Sequence, residues 1–272
     1  WHANQLGARG LVVSRVGTDP LGDELVAFLD QQGLDSGHVQ RDPGQPTSTV
    51  SITTTTDGQP DYTIHEPVAW DFLEWTDSLA ALFTDVAAVC FGTIAQRLPT
   101  SRSTINSCLD AMPDNALKVY DINLRKASWE LATVESSLDR ADIVKLNDEE
   151  LEVLSEGLDW VGDSPAELAA HLQERYGLDG VWITRGSDGC LLRRGDELVD
   201  CAGIEVDVVD TVGAGDSFTA AMIWAQWVGW PLAEAADLAN RVGALVASRA
   251  GGMPDLSDRL PGLIGDGPWC AS

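Results

Sequence analysis

Short runs of apolar and β-branched residues alternate along this chain with stretches whose apolar positions recur every three or four residues. Leu11–Val16, Val86–Phe91, Leu117–Ile122, Asp142–Leu146, Gly180–Thr184, Cys190–Arg193 and Ile204–Val209 predict strands. Between most of them lie helical patterns, such as Leu25-Val26-Phe28-Leu29 and Leu168-Leu172-Tyr176. This alternation predicts βαβ units built around a mostly parallel sheet. Several of the strands are apolar throughout, as expected when helices bury both faces.

One segment departs from that rhythm. Thr47–His65 is β-branched and alternating, and is interrupted by Asp57-Gly58-Gln59-Pro60. Two half-exposed strands joined by a turn are expected there. Such a hairpin serves equally as a surface excursion or as a flap over a substrate pocket. At the front, Trp1-His2-Ala3-Asn4-Gln5-Leu6-Gly7 reads as the end of a helix, with Gly7 as its stop.

The length, 272 residues with 44% hydrophobic content, suits one large α/β domain with a small appendage. No apolar run reaches the about 18 residues of a membrane span, and no basic, apolar leader opens the sequence. Charge narrows the function further. With 43 acidic against 17 basic residues, the formal net charge of -26 repels nucleic acid and anionic membranes. An anionic small molecule still fits if backbone donors and Mg²⁺ oppose that field locally. The five cysteines (Cys90, Cys108, Cys190, Cys201, Cys270) are scattered, and neither they nor the four histidines show metal-ligand spacing. Cys90, inside the apolar run 86–91, is expected to be a buried free thiol, and a reducing, cytoplasmic setting follows.

The most informative stretch is Asp210-Thr211-Val212-Gly213-Ala214-Gly215-Asp216-Ser217-Phe218. A predicted strand runs into it, and an amphipathic helix, Ser217 to about Val228, leaves it. Gly213 and Gly215 permit a tight turn and close approach of a ligand. The first amides of the helix then offer free N–H groups and the positive end of the helix dipole. Such a place suits phosphate, or charge developing during phosphoryl transfer. No Gly-Lys-Ser/Thr follows, so this is not a P-loop, and the third glycine of a dinucleotide fingerprint is missing. An ionised Asp216 there is able to take a proton from an attacking hydroxyl. Aspartate is also a favoured helix N-cap, so the residue types alone leave both roles open.

The nine-residue stretch resembles the C-terminal signature of the ribokinase family, also called the phosphofructokinase-B family of carbohydrate kinases. Other segments match the family in order: Val16-Gly17-Thr18-Asp19 with Gly22-Asp23, Asp121-Ile122-Asn123-Leu124-Arg125, Lys145 to Glu150, and Thr184-Arg185-Gly186-Ser187-Asp188-Gly189. Together they span about positions 1 to 255. The resemblance implies a ribokinase-like three-layer sandwich with a mostly parallel central sheet. The α/β core would comprise residues 1–36 and 67–272, and a small β lid residues 37–66. It also implies that a strand with a sugar-binding aspartate and a Gly-Gly…Asn motif stand ahead of Trp1.

The resemblance further assigns roles. Asp216 would be the base, with the amides of Gly213, Ala214, Gly215 and Asp216 as an anion hole. Arg125 would reach the substrate or the transferring phosphate; as an exposed loop arginine it would do neither. Asn147 and Glu150 would organise Mg²⁺ and phosphates through water, although Asn before Asp-Glu-Glu is also a good helix start. Thr184, Gly186, Gly189 and Asn240 would line the ATP pocket, with a polar surface position on the helix Leu232–Ala250 as the other reading of Asn240. Asp210, with carbonyls near Val212, Ala247 and Gly252, would hold K⁺. The lid would close over the sugar and supply a homodimer contact. Asp121–Arg125 together with Phe91-Gly92-Thr93-Ile94-Ala95-Gln96-Arg97 resembles the fructokinase-like branch, so fructose is the first substrate expected and 2-keto-3-deoxygluconate the second. The competing reading is a non-catalytic sugar- or nucleotide-binding regulator on the same fold. A nicotinamide oxidoreductase would need a glycine fingerprint near the first βα turn, which is absent.

Overall fold

The computed structural model describes residues 1–54, 60–125 and 128–265. The strands are β1 (Ser14–Gly17), β2 (Val39–Asp42), β3 (Val50–Thr54), β4 (Pro60–Ile64), β5 (Ala88–Gly92), β6 (Leu117–Asp121), β7 (Ile143–Asn147), β8 (Gly180–Thr184), β9 (Cys190–Arg194) and β10 (Glu197–Cys201). The helices are α1 (His2–Gln5), α2 (Pro20–Gln31), α3 (Asp77–Phe83), α4 (Pro99–Ala111), α5 (Leu131–Leu138), α6 (Asp148–Gly157), α7 (Pro165–Tyr176), α8 (Ala214–Trp227), α9 (Leu232–Ala247) and α10 (Leu260–Ile264). The turn read at Asp57-Gly58-Gln59 lies outside the described residues, as does Cys270. Two units partition the chain: Trp1–Arg9 with Ala87–Ile94 and Asp114–Ser272, and Gly10–Val86 with Ala95–Pro113.

The first unit is built on a six-stranded sheet of order β10-β9-β8-β7-β6-β5. β5 to β8 run parallel, while β9 and β10 turn back antiparallel. On one face Val119, Ile143, Trp182 and Leu192 pack with Phe218 and Met222 of α8 and Ala239 and Val242 of α9. Their neighbours Tyr120, Val144, Val181 and Ile183 point the other way and are also buried, and α6 and α7 contact β7, β8 and β9. Helices on both sides explain why these strands are apolar throughout rather than alternating. Each fully buried Val, Leu or Ile side chain contributes about 1.5–3 kcal/mol. Local signals stop and start the helices as the sequence suggested. Ser164 caps α7 by accepting from the Glu167 amide, Pro165 opens it, and Gly177 at φ 65° ends it.

Two expectations for this unit need correction. Ile204–Val209 forms no strand; β10 takes the place beside β9, and the chain then leaves the sheet. The reason is a backbone crossing: a Cβ on Gly203 would lie 1.7 Å from the Ser187 carbonyl oxygen. Past that crossing Val208 and Val209 stand 64% and 62% exposed, with no neighbouring strand to pair. Cys90, in β5, is exposed rather than buried, while its strand neighbour Phe91 is buried. Cys108, Cys190 and Cys201 are free thiols as well.

The second unit contains the parallel pair β1–β2, the antiparallel pair β3–β4, and α2, α3 and α4. The glycines at and beyond the end of β1 stand where backbones approach closely. A Cβ on Gly17 would meet the Gln45 carbonyl oxygen at 2.8 Å, and one on Gly22 would meet the Gly17 carbonyl oxygen at 2.2 Å. Asp19 caps α2 through the Gly22 amide and also accepts from the amide and hydroxyl of Thr47. The Thr47 hydrogen bonds, then that of Gly22, hold its carboxyl below the usual aspartate range. A buried Asp71 is gripped by Arg97, Nε to Oδ1 and Nη2 to Oδ2 each at 2.7 Å, while Trp70 stacks on the guanidinium at 4.1 Å. Among the described residues, no helix is long and apolar enough to cross a membrane.

Candidate active site

The glycine-rich turn lies in the first unit, between the segment that leaves β10 and the start of α8. Gly213 is the N-cap of α8 and adopts φ 79°, a conformation that disfavours a side chain. Its backbone also presses on the loop after α9, so a Cβ there would sit 2.5 Å from the Gly252 carbonyl oxygen. Asp210 fastens the same two loops, accepting from the Val212 amide at 3.0 Å and the Gly251 amide at 3.1 Å. The turn is therefore braced both by backbone contact with Gly252 and by the Asp210 carboxylate.

Within it, the Ala214 amide donates to the Thr211 carbonyl at 3.2 Å. The amides of Gly213, Gly215 and Asp216 have no protein acceptor among the described residues. Ala214 is thus a weak member of the expected anion hole, and the other three remain available. α8 begins earlier than the sequence suggested, at Ala214 rather than Ser217. That places Asp216 in the first turn, two residues inside the helix, and not at the N-cap. Its carboxylate is exposed and accepts no hydrogen bond from the described protein. The capping role left open above is not the one it plays.

Behind the turn stands a buried charged group to which the sequence assigned no role. Asp121 ends β6 and Lys145 lies in β7, and the strand register sets them side by side. Lys145 Nζ is 3.1 Å from Asp121 Oδ1, with the side chains only 8% and 9% exposed. Asp121 Oδ2 accepts from the Thr219 hydroxyl at 3.1 Å, and that hydroxyl also reaches the Gly215 carbonyl at 3.0 Å. A Cβ on Gly215 would stand 3.4 Å from Lys145 Nζ. Burial raises the Asp121 carboxyl above its ordinary range, opposed by the charge and hydrogen bond of Lys145. The signal was present in the sequence: a lysine and an aspartate inside apolar strands require a partner.

Asn147 and Glu150 come together as a capping box at the start of α6. Asn147 Oδ1 accepts from the Glu150 amide at 2.7 Å, and Glu150 Oε2 accepts from the Asn147 amide at 2.9 Å. Glu150 Oε1 also takes the Leu124 amide at 2.7 Å, tying α6 to the loop after β6. Burial raises the Glu150 carboxyl, against the pull of those two amides. The loop it holds includes Asn123 at φ 45°, a left-handed position that asparagine tolerates better than most residues. Arg125 is exposed, and among the described residues its Nη1 reaches only the Leu124 carbonyl at 3.4 Å, with no contact to the Gly213–Asp216 turn. Asn147→Ala should destabilise the fold by about 0.5–2 kcal/mol in urea titrations. Should turnover of the folded fraction also fall, Asn147 does more than cap α6.

On the far strands, Thr184 ends β8 and its hydroxyl reaches the Leu146 carbonyl at 3.5 Å. Gly186 and Gly189 follow at φ 55° and 89°, and a Cβ on Gly189 would meet the Cys201 carbonyl oxygen at 2.1 Å. Asn240 of α9 donates to the Ala202 carbonyl at 3.2 Å. Gly189 and Asn240 thus meet at residues 201–202, where the chain leaves β10. Of the oxygens expected to hold K⁺, those of Ala247, Gly252 and Asp210 lie near the Gly213 turn and have protein partners. Ala247 accepts from the Val209 and Asp210 amides, the Gly252 carbonyl lies 3.3 Å from His2 Nε2, and Asp210 binds two amides. Among the described residues no group of three or more His, Cys, Asp and Glu side chains is placed to hold a metal.

A family model described as pfkB family carbohydrate kinase matches residues 2–259. Fructokinase-1 of Oryza sativa subsp. japonica is 32% identical over 267 residues, covering 93% of this chain and 81% of the rice protein. Among solved structures, the sugar kinase PH1459 of Pyrococcus horikoshii in complex with ATP aligns with a TM-score of 0.78 at 25% identity, covering 95% of this chain and 84% of that one. A fructokinase of Vibrio cholerae in a fructose, ADP and calcium ion bound form aligns with the same TM-score of 0.78 at 25% identity, over 94% of this chain and 84% of that one.

Proposed function

This chain belongs to the pfkB family of carbohydrate kinases, and from that membership we propose that it moves the γ-phosphoryl group of ATP to a hydroxyl of fructose, with Asp216 as general base. The observation that carries the reading is an exposed carboxylate with no hydrogen-bond partner among the described residues, in the first turn of a helix whose Gly215 and Asp216 amides have no acceptor there either. A carboxylate in that state takes a proton from the sugar hydroxyl as its oxygen attacks the γ-phosphorus. The bond from phosphorus to the bridging oxygen breaks, ADP leaves, and the proton stays on Asp216. The free amides donate to oxygens of the group in flight, aided by the positive end of α8.

Fructose as acceptor is supported by the rice and Vibrio fructokinases and by the Asp121–Arg125 and Phe91–Arg97 segments. Mg²⁺ bound with the nucleotide neutralises charge on the β- and γ-phosphates. Both Glu150 oxygens already accept backbone amides, so Glu150 and Asn147 would hold that ion through water. This fits the habit of Mg²⁺ to keep several waters and lean on substrate phosphates. Thr184, Gly186, Gly189 and Asn240 would form the nucleotide side.

The test is ADP release, followed by a coupled assay over fructose, 2-keto-3-deoxygluconate, glucose and ribose. The highest kcat/KM is expected with fructose. Preference for another sugar would overturn the choice of substrate, and ADP release with none of them would favour the non-catalytic regulator.

A further inference from the structure

We propose that Lys145, anchored by Asp121 and linked through Thr219 to the Gly215–Asp216 peptide, is a positioning residue that supplies the fixed positive charge behind the anion hole. The inference rests on the kinase reading given above. It begins from a costly arrangement. A lysine ammonium has three donors, yet among the described residues Lys145 Nζ has one protein partner, Asp121, although the side chain is only 8% exposed. Buried pairs of this kind give little stability over apolar residues of the same size, so stability alone is a weak reason for one to exist.

Its location supplies a better reason. Nζ lies 3.4 Å from where a Cβ of Gly215 would be, so glycine at that position leaves no side chain between the ammonium and the turn. Thr219 extends the link. Its single hydroxyl proton is shared between two acceptors, Asp121 Oδ2 at 3.1 Å and the Gly215 carbonyl at 3.0 Å. The carbonyl of Gly215 and the amide of Asp216 belong to one peptide unit. A hydrogen bond to the oxygen polarises that unit and strengthens its N–H as a donor. The free amide aimed at the transferring group is thereby fixed in direction and made more acidic.

Charge argues the same way. Phosphoryl transfer brings further negative charge to a chain of net charge -26, beside the carboxylates of Asp216 and Asp121. Asp121, 3.1 Å away, offsets much of the ammonium's charge at long range, but beside Gly215 the buried Nζ is the nearer pole and is less screened by water than a surface lysine.

The test compares four proteins. A double variant, Lys145→Met with Asp121→Asn, removes both charges together and so avoids stranding one of them. Thr219→Val removes the hydroxyl, and Thr219→Ser restores it. With saturating ATP and sugar, the double variant and Thr219→Val should each lose about tenfold in kcat, less than the 10²–10³ of a direct donor. Both KM values should stay near those of the parent, and Thr219→Ser should recover most of the rate. Unchanged kcat in a folded double variant would overturn the proposal, as would equal losses in Thr219→Val and Thr219→Ser. If the double variant does not fold, the threonine pair decides alone. An inactive parent would instead remove the kinase reading, and this inference with it.

Discussion

Asp216→Asn is expected to lower kcat by about 10²–10⁴-fold, the range for loss of a general base, with little change in stability or ATP binding. The two side chains have nearly the same shape, but an amide cannot accept the sugar proton at neutral pH. The stability forecast follows from the structure. Asp216 is exposed and receives no hydrogen bond from the described protein, so nothing buried is stranded by the change. What remains is its favourable position at the positive end of α8, worth about 0.3–1 kcal/mol. Urea titration and nucleotide binding should therefore look almost native while turnover collapses. A variant that kept its turnover would remove Asp216 from the chemistry and leave the acidic residue a mere ornament of the helix dipole.

How much of this was legible in the sequence depended on whether the deciding contact was local. Gly180–Thr184 was read with its observed ends, because a run of apolar residues bounded by glycine and arginine suffices. β10, by contrast, lacks such a pattern, and the sequence favours Ile204–Val209 in its place. Glu197-Leu198-Val199-Asp200-Cys201 carries two charges and packs as an exposed edge, whereas the more apolar segment after it is barred from the sheet by the Gly203–Ser187 crossing. No local pattern encodes that crossing. The glycine-rich turn was plain from its residues, but not the register of α8. Only the left-handed Gly213 shows that the helix starts early enough to make Asp216 an interior residue of its first turn.

The pair Asp121–Lys145 shows the same limit inside the site. Each stood within a stretch already singled out, yet their meeting depends on the alignment of two parallel strands. Sequence could establish that a charge inside an apolar strand needs company, and not which company. The capping box at Asn147 and Glu150 was readable because its two members are three residues apart. The additional grip of Glu150 on Leu124 was not.

Gly213→Ala should damage both fold and turnover. Two costs add. An alanine at φ 79° pays about 1–2 kcal/mol for the left-handed conformation. Its Cβ would also lie 2.5 Å from the Gly252 oxygen and 2.8 Å from the Gly252 Cα, and forcing such a contact costs about 1–3 kcal/mol. The total, about 2–5 kcal/mol, should appear as a lower urea midpoint. Relief of the clash must separate the turn from the loop after α9, carrying the Gly215 and Asp216 amides with it. A displacement on the order of 1 Å there is enough to cost about 10²-fold in kcat. Gly186→Ala is the control for stability, because φ is 55° and no atom lies within 4 Å of the added carbon; only the conformational cost of about 1–2 kcal/mol applies. Equal destabilisation by the two alanines, with kcat untouched in Gly213→Ala, would mean that the turn yields freely and that backbone bracing does not hold the anion hole in place.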